Sequence, residues 1–370
     1  GVKTPFLKVQ KLLPGHYLKF NINSISSIKS VSYEFNFFNG DYSTASEEFL
    51  INKLENLLID AVEKQMLSDV PVGFFLSGGL DSTLLVAIAK RKFPEKKFHC
   101  FTIDVGGNEG SFDDFVDDLF YAKKAAEFLN VELHVVQSDI NIVESFDKMI
   151  WHLDEPQADA APLNVLKISK LASNLGIKVL IGGTGGDDIF SGYRRHQALL
   201  MEPYLFWVPR FLRKGLKFIA SRLKSNGAIF RRFKKIVENI DLNQNDRLKR
   251  YFSWLPHDRV LSLFAHDVQD ELKSYDPFQY FDDLETQIPH ERNLLNSMLH
   301  WELKTFLVDH NLNYTDKMGM AEGVEIRVPY LDKDLVYFSQ SLPPQLKMKG
   351  KETKYILKKV AERYLPSEII

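Results

Sequence analysis

Phe74-Phe75-Leu76-Ser77-Gly78-Gly79-Leu80-Asp81-Ser82-Thr83 is the stretch from which the fold is read. Val72 to Phe75 is a short apolar and glycyl run that leads into Leu76 and reads as a buried strand. The glycine pair then makes a turn that a Cβ would obstruct. From Ser82 the run Ser-Thr-Leu-Leu-Val-Ala-Ile-Ala-Lys reads as helix, with Leu84, Leu85, Ile88 and Ala89 available to one face. A strand, a tight Ser/Gly turn and a helix N-terminus make an anion site, because amides point outward there and the helix dipole favours negative charge.

The flanking sequence repeats the alternation. Phe49, Leu50, Leu54, Leu57, Leu58 and Val62 give helical spacing between Ser43 and Leu67. After the loop and its helix, Phe98 to Val105 reads as a strand, Phe112 to Leu129 as a helix and Val131 to Val136 as a third strand. Helices over Ile142 to Leu153 and Leu163 to Leu175 precede a strand over Val179 to Ile181. Strands alternating with helices predict a mostly parallel sheet covered on both faces, an α/β fold with ligands at the carboxyl ends of the strands.

A second glycine turn occupies that position: Gly182-Gly183-Thr184-Gly185-Gly186-Asp187-Asp188-Ile189-Phe190-Ser191-Gly192-Tyr193-Arg194-Arg195. Its glycines let backbone approach a ligand closely. Asp81 beside a phosphate is repulsive unless a cation lies between them, so Mg²⁺ is implied, and Asp187 and Asp188 are placed to reach the same assembly.

Composition sets outer bounds. With 370 residues, 45% of them hydrophobic, the chain can bury a large core and is expected to form more than one domain. The formal net charge of -2 gives no reason to expect a nucleic-acid partner. Cys100 is the only cysteine, so a disulfide framework and a thiolate metal cluster are excluded, and a reducing cytoplasm is the expected location. No apolar run reaches the roughly 18 residues a membrane span needs.

The remaining segments are less regular. Leu12-Leu13-Pro14-Gly15-His16-Tyr17-Leu18-Lys19-Phe20 reads as a turn into a strand, then an Asn/Ser-rich stretch over 21–30, then a second strand over Val31 to Phe35. Between Pro203 and Val237 lie ten basic residues and no acidic one, interleaved with Tyr204, Phe206, Trp207, Phe211, Phe218 and Phe230. Two accounts of that segment stand. It is a helical insertion with a basic outer face, or a surface for peripheral contact with the inner face of a membrane through 204–235. Leu294 to Tyr314 reads as one helix. Thr315 to Asp332 is too polar for a core strand and too apolar for a free loop, which suits a pocket wall. Lys351 to Leu365 reads as a helix stopped by Pro366.

Together these motifs resemble the C-terminal synthetase domain of glutamine-dependent asparagine synthetases, whose Ser/Gly loop is the pyrophosphate loop of the ATP pyrophosphatase superfamily. The Gly-Lys-Ser/Thr ending of a kinase-type P-loop is absent. The resemblance runs through the loop at Ser77, Leu153-Asp154-Glu155-Pro156, the turn ending in Gly192-Tyr193, Arg327-Val328-Pro329-Tyr330-Leu331-Asp332, and Lys351-Glu352-Thr353-Lys354-Tyr355-Ile356-Leu357-Lys358-Lys359. It implies an adenine nucleotide alpha hydrolase-like sheet over 41–200, with a hairpin linker over 1–40, a basic helical insertion over 201–293 and a helical completion over 294–370.

The same resemblance implies ATP and Mg²⁺ as cofactors. Pyrophosphate contacts fall on Ser77, Gly78, Gly79, Asp81, Ser82 and Thr83. Leu76 and Ile103 match positions bordering the adenosine, and Gly182 and Gly183 match backbone that meets the AMP moiety. Asp187 matches a Mg²⁺-side carboxylate, and Tyr193 and Lys317 match positions near the reacting acyl group. A small-molecule carboxylate is the expected substrate. Ammonia is expected from a glutaminase domain that is missing from this chain, since no cysteine precedes Cys100. The oligomeric state is left open.

Two departures qualify that picture. Asparagine synthetases carry a glutamate where Thr184 stands, and a threonine hydroxyl is no base near neutrality. The family also places a lysine a few residues beyond the position of Ile370, so a 1–370 piece is expected to lack activity. The substrate readings left standing are aspartate, a uronic acid of surface-polysaccharide synthesis, and an intramolecular amide closure. A catalytically silent scaffold is the reading from another class.

Overall fold

The computed structural model describes residues 2–32, 41–104, 118–138, 142–157, 159–222, 237, 239–253, 255–288 and 293–370. The chain divides into two compact units, Gly1–Gly192 with Glu302–Ile370, and Tyr193–Trp301.

The first unit opens with an antiparallel hairpin, β1 (His16–Asn21) and β2 (Ser24–Ser32), with Tyr17 opposite Val31. The Asn/Ser-rich stretch over 21–30 is therefore mostly strand. The Asn23 N–H donates to Asn21 Oδ1 at 3.0 Å, which closes the turn and starts pairing at Ser24. Residues 33–35 of the expected second strand lie outside the described residues.

The main sheet has five parallel strands in the order β5-β4-β3-β6-β7. They are β3 (Val72–Phe75), β4 (His99–Asp104), β5 (Glu132–Gln137), β6 (Val179–Ile181) and β7 (Glu325–Arg327). α1 (Glu47–Met66) precedes β3, and between the strands run α2 (Leu80–Lys92), α3 (Asp118–Leu129), α4 (Ile142–Leu153) and α5 (Ala161–Asn174). The expected start of α3, at 112–117, lies outside the described residues.

Strand alternation sorts the side chains into two layers. Phe74, Cys100 and Ile181 pack with Leu54 and Leu58 of α1, Leu84 and Ile88 of α2 and Ala125 of α3. Phe101 and Leu180 face the other way, onto Ile168 and Ala172 of α5. The sheet is thus a parallel α/β sheet flanked by helices on both faces.

Three elements differ from expectation. β7 lies inside the segment judged too polar for a core strand. It sits at the sheet edge, where only one neighbour must be satisfied, and Arg327 turns its guanidinium to the carbonyls of Gln65 and Leu67, both at 2.7 Å. The long helix expected over 294–314 is Leu294–Lys304, then a π-helical stretch Leu307–Leu312, then Asn313–Met320. The wide turn resets the helical phase, and beyond it Asn313 and Lys317 both reach the 153–155 segment.

The last helix is Tyr355–Ala361, not 351–365. It follows a short antiparallel pair, β8 (Met348–Lys349) and β9 (Glu352–Thr353), and Lys354 at φ 55° is left-handed, which a continuing helix cannot accommodate.

The second unit is helical: Glu202–Trp207, Arg210–Arg222, Gln244–Arg250, His257–Leu261, His266–Leu272 and Gln279–Glu285. Glu202 and Arg247 form a buried pair at 2.6 Å, and Arg247 also donates to the Leu242 carbonyl. Of the basic run, Arg213 donates to Val208 O at 2.8 Å and Lys217 pairs with Asp241 at 2.8 Å, so two of its cations are held within the unit. Residues 223–236 lie outside the described residues. Among the described residues no helix is long and apolar enough to cross a membrane.

Candidate active site

The strand order changes direction between β3 and β6. β4 and β5 follow β3 on one side, while β6 and β7 lie on the other. A crevice at the carboxyl ends of the strands is expected at such a switch point, and both glycine turns leave the sheet there.

The first turn is tied by its own hydroxyls. The Ser77 N–H donates to Ser82 Oγ at 3.2 Å, the Gly79 N–H to Ser77 Oγ at 3.3 Å, and Thr83 Oγ1 to the Gly79 carbonyl at 2.8 Å. Gly78 has φ +85°, and a Cβ there would lie 2.3 Å from the Asp118 carbonyl oxygen, so the turn admits glycine alone. Leu76 is buried and its N–H donates to Phe101 O at 2.8 Å, while Ser77 and Gly79 are exposed at the mouth. Ile103 is half-buried on β4, on the α5 side of the sheet.

The second turn, after β6, brings its backbone against the first. The Gly182 N–H donates to Arg327 O at 2.8 Å. Gly183 sits beside the backbone of Asp81 and Ser82, and a Cβ on Gly186 would meet Asp81 Oδ2 at 2.4 Å. Thr184 is half-buried in this turn, and Asp187 opens the short helix Gly186–Phe190. Asp188 is buried.

Asp81 and Asp187 converge on one group that sequence reasoning missed. Lys354 Nζ lies 2.8 Å from Asp81 Oδ2 and 2.6 Å from Asp187 Oδ1. Burial pushes the Asp81 carboxyl up to about 6, with Lys354 pulling the other way and Asp187 adding to the rise. Burial opposes the charge on Lys354, but the two carboxylates outweigh it and hold the ammonium above the ordinary lysine range. Asp81 Oδ1 is buried and accepts no hydrogen bond from the protein. Buried Tyr330 donates to the Asp81 carbonyl at 3.2 Å, and burial together with Asp81 and Asp187 keeps its hydroxyl neutral.

Lys317 and Tyr193 have partners of their own. Lys317 donates to Leu153 O at 2.6 Å and pairs with Asp154 at 3.0 Å, and Asn313 and Lys11 both donate to Glu155. Tyr193 opens the second unit, with the Arg195 guanidinium 4.0 Å from its ring centroid and its ring edge-on to His196. The Lys354 partnership spans 273 residues of sequence and carries no local signal, although the quoted Lys351–Lys359 segment contains it.

The chain matches the asparagine synthase family model over residues 53–370. It is 31% identical over 329 residues to asparagine synthetase [glutamine-hydrolyzing] 1 of Bacillus subtilis, covering 88% of this chain and 49% of that one. It is also 28% identical over 408 residues to the amidase chyE of Penicillium rubens, covering 99% of this chain and 58% of that one. The chain spans about half the length of the curated relatives it matches. With two glycine turns meeting at the switch point of a parallel sheet and a family match across most of its length, the chain belongs to the asparagine synthase family, as its ATP-pyrophosphatase-like domain.

Proposed function

We propose that this domain catalyses ATP-dependent amide formation through an acyl-adenylate. A substrate carboxylate oxygen attacks the α-phosphorus of ATP, and the bond to the bridging oxygen breaks to release pyrophosphate. Ammonia then attacks the acyl carbon, the bond to AMP breaks, and a proton leaves with amide formation. The observation that carries this reading is the Asp81–Lys354–Asp187 cluster at the meeting of the two glycine turns.

Charge decides what the cluster can do. The exposed Ser77–Gly79 mouth at the start of α2 offers amides and a positive dipole to the pyrophosphate. Lys354 adds a fixed cation beside it. Two carboxylates and the buried, unsatisfied Asp81 Oδ1 are hard oxygen donors of the kind Mg²⁺ takes alongside substrate phosphates, so Asp81 and Asp187 fit as its protein ligands. When bound, the ion would supply charge neutralisation for the departing pyrophosphate.

Thr184 bears on the substrate. The turn holds no carboxylate at the place where asparagine synthetases carry a glutamate, so the proton from ammonia leaves by another group. That favours a carboxylate other than free aspartate, and a uronic acid is the second reading we carry. Ammonia is assigned to a separate glutaminase part.

The test is pyrophosphate release by the full-length protein with ATP, Mg²⁺ and ammonium, against aspartate and a panel of uronic and nucleotide-linked uronic acids. Asp81→Asn is expected to lower turnover by about 100-fold or more. Undiminished turnover in that variant would remove Asp81 from the chemistry. Silence with every acid, or release without ammonia incorporation in the product mass, would replace the amidation reading with a scaffold or a cyclising ligase.

A further inference from the structure

At the opposite end of the sheet from the glycine turns, β4 and β5 bring three ligand-type side chains together. His99 begins β4, its register partner Glu132 begins β5, and His134 lies opposite Phe101. Alternation puts all three on one face, the face covered further along by α5. Cys100 points into the other layer and takes no part.

The three side chains form a closed cluster. His99 Nδ1 and His134 Nε2 face each other at 2.9 Å, and the two oxygens of Glu132 lie 3.5 Å from those same two nitrogens. Donors about 2.0–2.1 Å from a common ion, at angles between square and tetrahedral, stand about 2.9–3.4 Å apart. The nitrogen pair falls within that range, and each nitrogen lies just beyond it, at 3.5 Å, from its own oxygen of Glu132. His134 is additionally fixed by stacking on Phe101, with centroids 5.0 Å apart. Its side chain is 19% exposed, against 60% for Glu132, so the cluster opens on the Glu132 side, where water can complete a coordination shell.

We propose that His99, Glu132 and His134 bind one divalent transition-metal ion of the Zn²⁺ type, which staples the edge strand β5 to β4. Two imidazoles and one carboxylate suit borderline ions such as Zn²⁺, Co²⁺ or Ni²⁺ and disfavour Mg²⁺ and Ca²⁺, which take oxygen. The site is distinct from the one assigned to Mg²⁺, lies at the amino ends of the strands, and has a structural role.

The experiment is calorimetric titration of chelator-treated full-length protein with Zn²⁺, alongside Co²⁺ absorption and thermal unfolding. One Zn²⁺ per chain is expected, with d–d bands on Co²⁺ addition and a rise in Tm. His99→Gln and His134→Gln should each weaken binding by about 10-fold or more and cancel the Tm rise. Glu132→Gln, at an exposed side chain that folding does not depend on, should weaken binding in the same direction. Absence of saturable one-to-one binding overturns the site, and so does binding of unchanged affinity in His99→Gln and Glu132→Gln. The two rings would then share only an N–H···N hydrogen bond. Nucleotide turnover is not part of the readout, so this proposal and the amidation reading fail independently.

Discussion

Removing the Lys354 ammonium would leave Asp81 and Asp187 facing one another in a buried site. Breaking such a pair by deleting one partner costs about 3–5 kcal/mol. Lys354→Met should therefore lower the urea unfolding free energy by that order, and Asp81→Asn combined with it should recover part of the loss. Additive effects in the double variant would show that the two groups do not interact. The carboxyl of Asp81 also makes a pH prediction. Burial raises it to about 6, so the folded state holds its proton more tightly than the unfolded chain does. The stability it contributes is complete below the ordinary carboxylate range and is lost as pH rises towards 6. Wild type should lose stability relative to Asp81→Asn across that window, measured by urea midpoints from pH 4 to 6.5. A constant difference would place the Asp81 carboxyl at its ordinary value. Nucleotide binding should run the opposite way, weakening as the pH drops below about 6, because a protonated Asp81 offers no charge to a cation.

The turn after β3 makes its own prediction at the scale of an element. Gly78 and Gly176 share left-handed φ values, +85° and +79°, but a Cβ on Gly78 meets backbone of Asp118 and Ala122, whereas one on Gly176 meets nothing within 4 Å. Gly176→Ala should cost about 1–2 kcal/mol for its backbone conformation alone. Gly78→Ala should cost more by the overpacking term, about 1–3 kcal/mol, and should weaken ATP binding as well. Equal losses in denaturant midpoints would mean that the helix beside the turn yields freely. The elements legible in the sequence were those with a local signature. Val72–Phe75 and Val179–Ile181 are short apolar runs that lead into glycine turns, and α1, α4 and α5 have apolar spacing. β7 was illegible because an edge strand tolerates Glu325 and Arg327. The π-helical turn was illegible because apolar spacing does not distinguish one wide turn from two ordinary ones. Lys354 was illegible because its role comes from a left-handed backbone angle and two distant carboxylates.

Across the whole molecule, Cys100 offers a readout of cooperativity. It is fully buried on the interior strand β4, and burial pushes its thiol up to about 12. Its modification by an aromatic disulfide reagent should therefore proceed only as fast as the sheet opens, and should slow in saturating ATP and Mg²⁺ if nucleotide binds the folded first unit. Reaction at the rate of a free thiol would show that β4 opens locally. The sheet order has a separate consequence. β6 and β7 are neighbours, yet residues 182–324, including the whole second unit, are strung between them. During synthesis β6 is an unguarded sheet margin until residue 327 has left the ribosome, and Lys354 arrives later still. A nascent chain halted in that interval presents a sticky edge and no finished phosphate crevice. Chaperone capture, rather than ligand, is what would shield it through that part of translation.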